Sequence, residues 1–261
     1  LEKLPRMYRQ FMESQMLDIS KSPMEVAPTA HYSMGGIVVN AETHSTNVKG
    51  LYAAGECTSG VHGANRLGGN SLAEILVFGK ISGEEAAKFS SNLDLQKRNR
   101  EIIKNSNLEL DNLTKKGDEL ARPLQRAVRD IMWKYCGVVR SGKGLEEGLD
   151  ELMKIKAASS NIDVRPNAEG FSDLAIALDL LGSIDSAEAT IRCAIERTES
   201  RGAHQRSDFK DTSNSQNVNY LVHEESGKQV ITSRNVAHLP KELEEPMKKV
   251  NDLTVDGRLL E

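Results

Sequence analysis

The sequence predicts an α/β (α+β) segment with short strands and a helix, followed by an all-α helical bundle and a small C-terminal β-hairpin region. Three observations carry this expectation. Short apolar runs alternate with Asn- and Gly-containing turns in the first third, and leucines and isoleucines recur at steps of three and four from Leu120 onward. Near the end, Val218 to Val222 and Gln229 to Thr232 flank Glu224-Glu225-Ser226-Gly227, the pattern of a hairpin.

In chain order, Met7, Phe11 and Leu17 among charges fit a helix and its exit, closed before Pro23. Gly36 to Val39 and Gly50 to Ala54 read as strands joined by turns near Asn40 and Asn47. Five glycines, Gly55, Gly60, Gly63, Gly68 and Gly69, then mark backbone that turns sharply or comes close to a ligand. Directly after them Ser71-Leu72-Ala73-Glu74 has the form of a capping box, with Leu72, Ile75 and Leu76 continuing at helical spacing. The charged, Asn-rich stretch 90–117 reads as a joint between residues 1–89 and a bundle over 118–209. The bundle stripes are Leu120, Leu124, Val128, Ile131 and Tyr135; Leu145, Leu149 and Leu152; Leu174, Leu178 and Leu181; and Ile191 and Ile195. Gly137, Gly142 and Gly144 punctuate one connection and Pro166 another, and residues 210–261 form a tail that carries the hairpin.

Composition excludes several function classes. A net charge of -4 without a long basic block argues against nucleic-acid binding. No run approaches the roughly 18 consecutive apolar residues of a membrane-spanning helix, so any membrane contact runs through partners. Cys57, Cys136 and Cys193 lie far apart with no C-x-x-C or Cys/His cluster, which disfavours a disulfide framework or a metal centre and fits a reducing compartment. Leu1 in place of Met, and an opening that reads like the middle of a chain, give the expectation of a fragment.

Chemistry concentrates between Gly55 and Glu74. A glycine-rich loop delivers the chain to a helix N-terminus, whose unpaired N–H groups suit a phosphate, a carboxylate or an anionic ring, although such loops are also common as plain structure. Glu56, at the end of an apolar run, can accept from a hydroxyl-rich ligand or be a surface glutamate. Arg66, beside Asn65 and the Gly68-Gly69 pair, can fork onto a carboxylate. His31, ahead of a strand, can donate to an anion or be a satisfied structural histidine.

The strings T-A-H-Y-S-M-G-G-I, G-L-Y-A-A-G-E-C and H-G-A-N-R-L-G-G-N-S-L-A-E, in that order, resemble the flavoprotein subunits of succinate dehydrogenase and fumarate reductase. Met132-Trp133 and the stretch Glu199 to Phe209 extend the likeness over nearly the whole chain. The resemblance implies that residues 1–89 are the C-terminal portion of an FAD- and substrate-binding domain. It implies that His31 and Arg66 bind a carboxylate of succinate or fumarate and that Glu56, following Gly55, holds the ribityl chain of FAD. Ser71 and Leu72, next to Asn70, would set backbone N–H groups at the pyrimidine edge of the flavin, where a helix N-terminus favours the charge of the reduced ring. The same resemblance implies redox exchange with an iron-sulfur subunit. It also implies a cytoplasmic location, on the inner face of the cell membrane through partner subunits.

Some family features have no counterpart here. The proton-relaying arginine of a mobile capping domain and a G-x-G-x-x-G fingerprint are absent from this sequence, and Lys210 to Tyr220 stands where similar proteins have an aspartate-rich run with a tryptophan. L-Aspartate oxidase is the near alternative, disfavoured by Leu67-Gly68-Gly69 after Arg66; adenylylsulfate reductase is more distant. A third reading, from another class, makes the piece a non-catalytic docking module. His204 reads as structural or interfacial rather than catalytic.

Overall fold

A computed structural model describes residues 5–25, 30–94, 99–167, 171–237 and 240–243, together with 246, 254–255 and 258–259. The chain divides into two compact units, Leu1–Asn92 and Leu93–Glu261. Helix and short strands mix as the sequence predicts.

The first unit opens with α1 (Pro5–Gln15), with proline at its first position, where a missing N–H costs nothing. It closes as Leu17 N–H donates to Phe11 O across Met16, whose φ is 52°. The two expected strands are reduced to single bridges, Ile37 with Thr58 and Ser45 with Tyr52. Gly36 explains the first of these: a Cβ there would collide with the Cys57 carbonyl, so only glycine lets the two segments approach. Between them Asn40 Oδ1 accepts from Glu42 N and Thr43 N, forming the expected turn. His44 is buried, stacked on Phe78 at 4.3 Å with Nδ1 3.0 Å from Ala53 O.

Helix α2 (Asn70–Ser91) corrects the capping-box expectation. Its cap is Gly69, left-handed at φ 85°, with no side-chain bond, so Ser71 already lies inside the first turn. Glu74 does not reach back to the cap; it is the one buried residue of the helix. Leu72, Ile75 and Leu76 are exposed.

In the second unit α3 (Arg100–Leu113), capped by the Asn99 side chain, precedes three packed helices. These are α4 (Ala121–Tyr135), α5 (Gly142–Ala158) and α6 (Ser172–Glu196). From α4, Leu124, Val128, Ile131 and Tyr135 enter the core as their spacing predicts, and from α5 Leu145 and Leu152 do so fully. Gly148 lets Tyr135 lie against α5, because a Cβ would stand 2.7 Å from the Tyr135 Cβ. In α6 the face differs from expectation. Ala177, Leu180, Ile184, Ala187, Ile191 and Ala194 are buried, whereas Leu178 and Leu181 are 48% and 40% exposed. The helix carries apolar residues on more than one side, so periodicity does not select the face; the alanines do, by allowing close approach. Leu120 also lies outside, at the cap of α4.

Short strands close the unit. β1 (Val139–Arg140) pairs in parallel with β2 (Gln205–Arg206). β3 (Val218–Glu225) and β4 (Lys228–Asn235) form the expected hairpin, extending beyond the apolar runs. Its two-residue turn, Ser226-Gly227, has φ of 52° and 77°, the left-handed pair that matches strand twist. β5 (Thr254–Val255) and β6 (Arg258–Leu259) pair antiparallel.

Candidate functional site

The glycine-rich loop and the segment after Ala30 meet in the first unit. Gly55 is buried in a left-handed turn at φ 87°, its carbonyl accepting from Thr58 N and Oγ1 at 2.9 and 2.8 Å. The turn lifts Glu56 to the surface, where Oε1 accepts from Ser33 N at 2.8 Å. Arg66 lies over the ring of Tyr32, with its guanidinium carbon 4.5 Å from the centroid. Glu56 and Arg66 therefore grip the two residues that follow His31, and all three expected ligand-facing residues share one neighbourhood. His31 itself is exposed, and among the described residues it makes no hydrogen bond or ion pair.

Arg66 is only partly satisfied. Nη1 donates to Leu67 O at 3.0 Å, while Nε is buried with no hydrogen-bond partner among the described residues. An orphaned donor of a charged group is costly, which suits a site completed by an anion.

At the start of α2 the first N–H groups differ. Asn70 N donates to Leu67 O at 3.3 Å and Leu72 N to Gly69 O at 3.2 Å, each a tight three-residue closure. Ser71 N has no partner among the described residues. Leu72 is 66% exposed and Asn70 is exposed as well. One free N–H at a helix N-terminus, beside two weakly held ones, is a donor set that fits an anionic ring edge.

Behind Arg66 stands a cluster that no sequence pattern announces. Glu74, 4% exposed, accepts from the Tyr32 hydroxyl and from His62 Nε2 at 2.8 Å, both on Oε2. Burial raises a carboxyl pKa, yet the bonds from Tyr32 and His62 outweigh it and hold Glu74 below its ordinary value, so it is ionised at neutral pH. Tyr32 is pushed up to about 12 by burial and by its bond to Glu74, and it stays a donor. The available signal is a glutamate among the apolar residues Leu72, Ala73, Ile75 and Leu76 in the first turns of a helix. It merges with the capping-box pattern, which gives the same glutamate a different task.

In the second unit His204 accepts from Arg140 Nη1 at 3.0 Å on Nδ1 and donates from Nε2 to Arg197 O at 3.1 Å. Burial and neighbouring arginines lower its pKa, although the bond to Arg197 opposes them, and the ring is a neutral connector. Beside it, Glu199 is fully buried and holds Arg197 Nη1 at 2.7 Å and Arg201 Nε at 2.8 Å, and it accepts from Ser213 N. Arg206, buried, pairs doubly with Asp208 at 2.8 Å. The Arg-Gly-Ala-His motif is thus an ion-paired clasp around the end of α6. Among the described residues no group of His, Cys, Asp and Glu is arranged to hold a metal, and no helix is long and apolar enough to cross a membrane.

Comparison with known proteins finds matches along most of the chain. Residues 1–72 match the family model described as FAD binding domain, and residues 125–251 match the one described as fumarate reductase flavoprotein C-term. One component of the fumarate reductase (CoM/CoB) of Methanothermobacter marburgensis is 39% identical over 81% of this chain and 38% of its own length. The fumarate reductase flavoprotein subunit of Proteus vulgaris is 39% identical over 79% of this chain and 35% of its own. The solved structure of Mycobacterium smegmatis Sdh1 in complex with UQ1 superposes with a TM-score of 0.85 at 32% identity, over 95% of this chain and 43% of that one. The chain therefore spans well under half the length of each of these relatives.

The fold and the matched family models together define an FAD flavoprotein. The chain belongs to the family of succinate dehydrogenase and fumarate reductase flavoprotein subunits.

Proposed function

We propose that this chain forms the flavin- and dicarboxylate-facing floor of an enzyme that interconverts succinate and fumarate. The observation that carries the reading is the buried Nε of Arg66, unpartnered among the described residues, on a loop that leads to the open Ser71 N–H at the start of α2. FAD, when bound, supplies the hydride chemistry. His31 and Arg66 hold a carboxylate, Arg66 through its rigid fork and His31 by donation from an exposed ring. Glu56 presents its second oxygen to the ribityl hydroxyls while Oε1 keeps Ser33 in place. Ser71 N–H, with Leu72 and Asn70 beside it and the Gly55 turn beneath, faces the pyrimidine edge. Residues 1–89 serve this site, 118–209 form the helical domain beyond the 90–117 joint, and 210–261 carry the hairpin. Electrons pass to or from an iron-sulfur subunit, and the complex sits on the inner face of the cell membrane through its partners.

The test is Arg66→Lys in a protein of the relatives' full length containing this chain. Lysine keeps the charge and loses the fork, so succinate KM should rise about tenfold or more, corresponding to about 1.5 to 3 kcal/mol of charge-assisted bonding. Unchanged KM and turnover would remove Arg66 from the site.

A further inference from the structure

The flavin and carboxylate assignments leave Tyr32, His62 and Glu74 without a role, although they are joined more tightly than the residues they adjoin. The three come from separate pieces of chain: Tyr32 from the segment after Ala30, His62 from the glycine-rich loop and Glu74 from the start of α2. Glu74 gathers the Tyr32 hydroxyl and His62 Nε2 on a single oxygen. The two rings meet edge to face, with centroids 5.4 Å apart and planes at 79°. The Tyr32 ring in turn lies under the Arg66 guanidinium at 4.5 Å.

This arrangement has a physical logic. A buried carboxylate is tolerated only when paired, and one placed on an otherwise apolar helix face costs stability that leucine would not. Here both its donors lead outward to the loop and to the ring beneath Arg66. Donation of the phenolic proton toward an anion enriches the ring face, which strengthens its attraction for the cation above. With Nη1 held by Leu67 O on the other side, the guanidinium is fixed before any ligand arrives, and less ordering is needed on binding.

We propose that Glu74, acting through Tyr32 and with His62, positions the Arg66 guanidinium for the substrate carboxylate, so that these three are positioning residues of the dicarboxylate site. The inference rests on the reading of Arg66 as the carboxylate-binding residue.

The experiment compares Tyr32→Leu, Tyr32→Phe, Glu74→Gln, Arg66→Lys and the double variant Tyr32→Leu/Arg66→Lys in the flavin-loaded, full-length enzyme. It reads succinate KM and kcat with an artificial electron acceptor, together with flavin content. Tyr32→Leu and Glu74→Gln should raise KM about tenfold with flavin content unchanged, because the arginine must then be ordered at the moment of binding. Tyr32→Phe keeps the ring face but loses the bond to Glu74, so its KM should lie between those of the unsubstituted enzyme and Tyr32→Leu. The double variant should be no worse than Arg66→Lys alone. If Arg66→Lys raises KM while Tyr32→Leu and Glu74→Gln leave it unchanged, or if the double variant's penalties simply add, the positioning role is overturned. If Arg66→Lys itself leaves KM unchanged, the underlying site assignment fails instead. Should Glu74→Gln lose its flavin, Tyr32→Phe against Tyr32→Leu decides by the same readout, equal KM values in the two counting against the proposal.

Discussion

Glu199 shows how far a single buried side chain can be held from its ordinary chemistry. Burial would raise its pKa, but the bonds from Arg201, Ser213 N–H and Arg197 outweigh that and lower it from 4.5 to about 2. A depressed carboxylate pKa stabilises the folded state above 4.5, and that contribution is lost as pH falls toward 2. Glu199→Gln should therefore destabilise the second unit by about 3 to 5 kcal/mol at neutral pH, since two arginines lose their partner. Its denaturation midpoint should also fall less steeply than that of the unsubstituted protein between pH 4.5 and 2. A variant with unchanged midpoint at pH 7 would show that the clasp contributes nothing. The sequence marks Glu199 only as the edge of a motif, because the ion pairs that make it matter exist only after residues 197 to 213 fold back on themselves.

At the scale of the element, α6 separates what periodicity can say from what packing says. Leu180 is completely buried and Leu178 is 48% exposed, though both sit in the same apolar helix. Leu180→Ala should cost about 2 to 5 kcal/mol in chemical denaturation, since it removes a core side chain and leaves a cavity. Leu178→Ala should stay within about 0.5 kcal/mol, the usual range for a surface change. Equal losses at the two positions would contradict the observed face. Leu124, on α4, is buried as its spacing predicts, because α4 has one clear apolar stripe opposite Arg122, Arg126 and Arg129. The strands of the first unit illustrate the opposite failure. Gly36 to Val39 and Leu51 to Ala54 have strand-like composition, yet each finds only a single bridging partner among the described residues.

Across the whole molecule, the buried apolar side chains among the described residues all belong to the second unit, from Ala121 to Ala194. Among the described residues of the first unit, those buried are His44, Gly55, Thr58 and Glu74. Local stability follows burial, so amides of α4, α5 and α6 should exchange with solvent far more slowly than those of α2. Hydrogen exchange read by mass spectrometry on the 261-residue chain checks this, and equal protection of α2 would refute it. The same chain is expected to purify without flavin colour. It has no G-x-G-x-x-G turn for the pyrophosphate, and the two relatives above extend well beyond it, the chain covering 38% and 35% of their lengths. A flavin absorbance spectrum from the purified chain would overturn that expectation.

The sequence by itself determined the family, the helical region with its α4 and α5 faces, the hairpin and its turn, and the glycine-rich loop to which the proposed site is assigned. These rest on local signals: contiguous motif strings, a single apolar stripe, and a two-residue turn that only certain backbones can make. Only the tertiary structure decided which side of α6 is inside, that Ser71 lies within the helix rather than at its cap, and that Glu74 turns inward to Tyr32 and His62. Those outcomes depend on partners 42 and 12 residues away from Glu74, and on alanines that matter because of what approaches them. Such long-range pairing leaves no period in the chain, because it is set by where separate segments meet and not by the order of residues within any one of them.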